Sequence, residues 1–190
     1  MATLFVDKLD PQSGTALEIG TSGDTITVPS GATVNVAGTA TGQNYPAFNA
    51  SRGSNQTGWS ASTWTKIQFD DEFLDTNGDY DNSTNYRFTP TVAGEYLCYY
   101  NVIISYAGGG TVDDIRAAFY KNGSISADIS MSELKDYTST GIGLVMSWSQ
   151  SSIINFNGSS DYLEVYGFSN ASGGPSAQSK SNFGAFRIGA

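Results

Sequence analysis

The sequence predicts an all-β protein, a sandwich of short strands preceded by a separate strand-bearing segment. Three observations carry that prediction. Apolar residues recur with period two in many short runs, and the best helical candidate, Met131 to Lys135, is too short to stand alone. Charged residues make up only 14% of the chain, while Gly, Ser, Thr and Asn are abundant, as suits strands joined by turns. The run Tyr96 to Ile104 is apolar or aromatic on both faces. Tyr96, Cys98, Tyr100, Val102 and Ile104 point one way, and Leu97, Tyr99, Asn101 and Ile103 point the other. One stripe can fill the sandwich. The other needs a second cover, which in a small all-β domain another copy of the chain can supply.

Residues 1–42 read as a unit of their own. Leu17 and Ile19, Ile26 and Val28, and Val34 and Val36 mark three short alternating strands. The turn-forming runs Gly20-Thr21-Ser22-Gly23-Asp24 and Pro29-Ser30-Gly31 separate them. Two sizeable apolar residues per strand are too few to offset the ordering entropy of a lone chain. Three chains wound together could bury them around a shared axis, so the segment reads as a thin intertwined β-shaft; a flexible Gly/Ser-rich linker is the alternative. Residues 38–46 form the joint, and residues 43–190 form the head. Within the head, Ser51 to Ser60 is expected to be a surface loop, with Trp59 and Trp64 nearby. Pro90 and Gly94 bracket the turn into the two-faced strand.

A series of motifs runs through the head in a fixed order. It comprises Ala47-Phe48-Asn49-Ala50, Phe69-Asp70, Thr84 to Phe88-Thr89, Pro90 to Tyr96, Lys121-Asn122-Gly123 and Phe183-Gly184-Ala185-Phe186. The series resembles the globular head of complement component 1q and its relatives in the tumour necrosis factor superfamily, over about residues 46 to 189. The loop Asp75 to Tyr80 is one residue shorter than the family spacing, and Gly158-Ser159-Ser160-Asp161 replaces the family's Gly-Asp. The resemblance implies a jelly-roll β-sandwich that assembles as a homotrimer. It also implies that the N-terminal and C-terminal strands lie together at one end, which places Ala190 near the shaft junction. The repeats of residues 22–40 look like those on bacteriophage tail fibre and virion surface proteins.

The formal net charge is −9, and the nine Lys and Arg residues are scattered. A nucleic-acid partner and an anionic membrane are disfavoured. No run approaches the length of a membrane helix, so membrane insertion is not expected. Histidine is absent, which removes His metal ligands, His general bases and any Ser-His-Asp arrangement. The single cysteine, Cys98, falls in the inward stripe and reads as a small buried hydrophobe. Met1 to Leu9 lacks the basic start and long apolar run of a signal peptide, so the chain is expected to fold in the host bacterial cytoplasm. The Asn-x-Ser/Thr sequons then follow simply from Asn- and Ser-rich loops.

Candidate chemistry is sparse. Asp70-Asp71-Glu72 could suggest a glycosidase pair, but neighbours on a strand point to opposite faces; Asp113-Asp114 reads the same way. Asp75, Asn77, Asp79 and Asp81 alternate as oxygen ligands for calcium would, yet Gly78 is misplaced for a helix-loop-helix site and no bidentate Glu follows. A solvated turn is the simpler reading. Gly108-Gly109-Gly110 reads as a strand-joining loop, because no helix start or Lys follows. No catalytic, cofactor or metal residue is therefore expected. Aromatic residues, at 13%, could fill the core or stack on sugar rings.

The expectation is a non-enzymatic virion structural protein. It would be a trimeric phage fibre whose knob recognises a host surface glycan or protein, with a trimer interface at Leu97, Tyr99, Asn101 and Ile103. The alternative is a capsid decoration or cement protein at three-fold positions. The partner would be a tail protein in the first case and the major capsid protein in the second, and which residues attach to the virion is left open.

Overall fold

The computed structural model describes residues 9, 11, 13–17, 19–35, 37, 45–106, 111–125, 131–140, 144–171 and 173–189. The chain divides into two units, Met1–Gln43 and Asn44–Ala190.

The described residues of the first unit form turns but no strand. Asp24 N–H bonds the Thr21 carbonyl at 3.0 Å, and Ala32 N–H bonds the Pro29 carbonyl at 3.1 Å. Gly23 and Gly31 hold the positive φ that the third position of such turns requires. The Asp24 carboxylate closes the first turn by accepting the Thr21 N–H at 2.7 Å. Both expected turns are thus present, and among the described residues none of the three expected strands has a ladder partner. Leu17, Ile19, Ile26, Val28 and Val34 are all exposed, from 46% to 64%. Val36 and most of the expected joint lie outside the described residues.

The second unit is all-β. Its strands are β1 (Ala47–Ser51), β2 (Thr65–Lys66), β3 (Asp71–Asp75), β4 (Tyr80–Asp81), β5 (Arg87–Phe88), β6 (Gly94–Tyr106) and β7 (Thr111–Lys121). They continue with β8 (Ser124–Ile125), β9 (Met131–Thr140), β10 (Leu144–Phe156), β11 (Leu163–Ser169), β12 (Ser176–Ala177) and β13 (Asn182–Gly189). The first sheet runs β10-β6-β13-β1-β3, with β12 also on β6; the second runs β4-β5-β11-β7-β8, with β2 on β11 and β9 on β7. Every pairing is antiparallel, and the chain crosses repeatedly from one sheet to the other. This is a jelly-roll sandwich. Met131 to Lys135, the best helical candidate, lies on β9 instead. Ser132 and Leu134 face Ala117 and Ile115 across a ladder, and tertiary pairing overrides local propensity.

The inward stripe of β6 supplies the core as expected: Tyr96, Cys98, Tyr100, Val102 and Ile104 are at most 2% exposed. Aromatic rings fill one end. Phe48 stacks on Phe88 at 4.4 Å and on Tyr80 at 4.8 Å, and meets Phe183 edge-on at 4.8 Å. Buried hydroxyls are bonded: Tyr80 donates to the Phe69 carbonyl at 2.9 Å, and Tyr100 to the Ala117 carbonyl at 2.8 Å. Trp59 corrects part of the loop expectation. The loop lies mostly at the surface, but this indole turns inward to 6% exposure and fills the space left by Gly167. A Cβ on Gly167 would stand 2.4 Å from the Trp59 ring. Lys121-Asn122-Gly123 makes the tight β7–β8 hairpin, with φ positive at both Asn122 and Gly123, the combination of a type I′ turn.

Candidate functional site

The outer face of the first sheet carries apolar side chains that are open to water. Leu97, Tyr99, Asn101 and Ile103 all lie there, half-buried, on the side of β6 opposite the core. The ladder registers bring other residues beside them. Ile153 on β10 faces Leu97, which faces Phe186 on β13. Ser151 faces Tyr99, Tyr99 faces Gly184, Gly184 faces Asn49 on β1, and Asn49 faces Leu74 on β3. Ile153 is 60% exposed, Leu74 48% and Phe186 43%. One end of the face is therefore an apolar row. Further along it turns polar, where Ser147 donates to Asn101 Oδ1 at 2.6 Å.

Gly184 shapes this face. A Cβ there would come 2.4 Å from the Tyr99 hydroxyl and 2.8 Å from the Phe48 carbonyl. Its absence lets the tyrosine ring lie down across β13 and keeps the surface flat. Partial burial pushes the Tyr99 hydroxyl pKa up, so it stays a neutral donor. A shallow recess of about 340 Å³ opens beside Tyr99 and Asn101, bounded by Ser149 and Ser151. The Asn49 side-chain oxygen is buried without a hydrogen-bond partner among the described residues. Leu74, Ile153 and Phe186 were missed from sequence. Ile153 lies on a strand whose other outward positions are mostly serine, and pairing register alone brings it beside Leu97.

The candidate carboxylates do not come together. Asp70 pairs with the buried Arg52 at 3.0 Å and accepts the Gly53 N–H at 2.9 Å, clamping the loop after β1. Asp71 and Glu72 are exposed on β3. Asp75 accepts the N–H groups of Asn77, Gly78 and Tyr80, and Asp81 those of Ser83, Thr84 and Asn85. The Asp81 carboxyl is held well below its ordinary pKa, chiefly by the Thr84 N–H. Asp79 accepts from Thr91 Oγ1 at 2.8 Å, and burial raises its pKa. Asp75 and Asp81 thus each close their own turn, and Asp70 and Asp79 tie separate loops. Among the described residues no three His, Cys, Asp or Glu side chains converge as metal ligands would. Asp114 grips Arg116; the Asp113 side chain, the run Gly108 to Gly110 and Ala190 lie outside what is described. Near the expected junction, β1 and β13 do run side by side, with Arg187 N–H bonding the Pro46 carbonyl at 2.9 Å.

No family model matches the sequence, and no curated protein matches it. Solved structures do resemble the head. The crystal structure of murine APRIL aligns with a TM-score of 0.50 and 9% identity, over 76% of this chain and 100% of that one. The structure of Eiger TNF from S. frugiperda aligns with a TM-score of 0.48 and 10% identity, over 76% of this chain and 91% of that one. At 9% identity the first likeness speaks to fold alone. The head has a tumour necrosis factor-like jelly-roll fold.

Proposed function

We propose that this chain is a non-enzymatic virion structural protein of a bacteriophage. In this reading it is a homotrimer whose heads associate through the outer face of the first sheet. The observation that carries the assembly is the row Ile153–Leu97–Phe186, apolar and open to water in a single chain. A closed symmetric assembly covers such a row without leaving an edge for further growth. The jelly-roll fold supports a trimer in particular, as do the family-like motifs from Ala47 to Phe186. The shaft-like repeats of the first unit support the phage assignment and a role in attachment to the virion, with the knob free to recognise a host surface.

Light scattering on the purified full chain tests the assembly: a mass of three chains is expected, and a stable monomer overturns the reading. Quantifying the chain against the major capsid protein in purified particles tests the post. A few copies per particle mean a fibre, hundreds mean capsid decoration at three-fold positions, and absence from virions rejects both.

A further inference from the structure

The outer face of the second sheet carries an aromatic cluster that lies outside the core. Trp64, just before β2, sits 5.4 Å from Phe168 and 5.7 Å from Tyr120, ring centre to ring centre. Tyr120 stacks on Tyr166 at 4.0 Å, with the planes 27° apart. All four residues are half-buried, so part of each remains accessible to solvent.

Two features mark it as more than a cover for the sheet. The first is the indole of Trp64. Trp59 and Trp148 bury their indole nitrogens with no acceptor among the described residues, Trp59 in the core and Trp148 packed partly buried against it. The Trp64 N–H is not buried and bonds no other described residue, so it is an available donor at the edge of a ring surface. The second is that the nearby charges are already paired. The buried Glu164 holds Lys66 at 2.5 Å, and Lys66 also donates to the Asn85 carbonyl at 3.1 Å. Arg116 lies 5.4 Å from the Phe168 ring, with both of its hydrogen bonds to Asp114 at 2.7 Å. A ligand must therefore offer an apolar face and neutral hydrogen-bonding groups. The C–H face of a pyranose ring, with hydroxyls around its rim, has that character. A polyanionic glycan would be opposed by the net charge of −9.

We propose that this cluster binds a neutral pyranose glycan, with Trp64 as the stacking platform. The inference rests on the reading of the head as a recognition knob whose first sheet is turned toward its own copies, leaving the second sheet outward.

The test is calorimetric titration of the full chain with maltohexaose, cellohexaose and N-acetylchitohexaose, with tryptophan fluorescence followed in parallel. At least one is expected to bind and to perturb the fluorescence. Trp64→Ala should weaken that binding at least about tenfold, equivalent to roughly 1.4 kcal/mol. Trp64→Phe keeps a ring against Phe168 but loses the N–H donor, and should weaken binding while leaving circular dichroism unchanged. If Trp64→Ala does not fold, Trp64→Phe alone decides. Failure of all three saccharides to bind overturns the proposal, as does undiminished binding by the Trp64 variants. Mass measured on the same samples keeps the two readings apart. A monomer that binds glycan defeats the trimer and keeps the site, whereas a trimer that binds none does the reverse.

Discussion

Ile153→Thr is the sharpest perturbation of the proposed assembly. Ile153 is 60% exposed in the single chain, so trimming it costs the isolated head little. Threonine keeps the β-branch that β10 favours. In an assembly that covers the row, the change removes roughly two carbon groups worth about 0.8 kcal/mol each when fully buried. Scaled by the exposed share, that is about 1 kcal/mol per copy. Desolvating the new hydroxyl adds about 1 kcal/mol more. Three copies then lose about 6 kcal/mol, or about four orders of magnitude in the dissociation constant at roughly 1.4 kcal/mol per tenfold. Sedimentation across a dilution series reads this directly as monomer appearing at higher protein concentration. The control is Ile125→Thr, which alters a residue 39% exposed on β8 of the second sheet and should leave the assembly unchanged. Equal behaviour of the two variants would falsify the assignment of the first sheet as the interface.

Other consequences can be checked independently. Gly184→Ala places a methyl group against the Tyr99 hydroxyl and the Phe48 carbonyl, and should cost about 1–3 kcal/mol, read as a lower urea midpoint at unchanged slope. Cys98 is fully buried and its thiol pKa is pushed far up by desolvation, so a thiol reagent at mildly alkaline pH should label it only after unfolding. The Asp161 carboxyl is held below its ordinary pKa, first by the Asn122 side chain and then by Lys121. Its stabilising contribution is present above the unfolded pKa and is lost as pH falls through the folded one, so Asp161→Asn should flatten the stability profile in that acidic window in urea titrations. Rapid labelling of native Cys98, or an unaltered acid profile for Asp161→Asn, would count against the packing or the ion pairing described.

The sequence by itself determined the fold class, the two faces of β6 and the turns, because each is written in local chemistry. Period-two alternation sorts Tyr96, Cys98 and Tyr100 from Leu97, Tyr99 and Asn101, since successive strand residues must point opposite ways. Asn122-Gly123 and Pro29 to Gly31 form turns because few other residues tolerate their backbone angles.

What only the tertiary structure decided is which distant residues become neighbours. Ile153, Leu97 and Phe186 are separated by dozens of residues, and no local pattern records that β10, β6 and β13 lie side by side in that register. The same holds for Trp64 beside Phe168 and Tyr120. Trp59 and Trp64 look alike in a polar loop, yet Gly167 leaves room for one indole in the interior while the other stays at the surface. Met131 to Lys135 became a strand for a related reason. Five residues carry too little intrinsic preference to resist the hydrogen bonds that β7 offers along its edge. Side-chain periodicity is a property of the chain. Register and proximity belong to the packed sheets, where long-range pairing selects among patterns that local chemistry leaves equivalent.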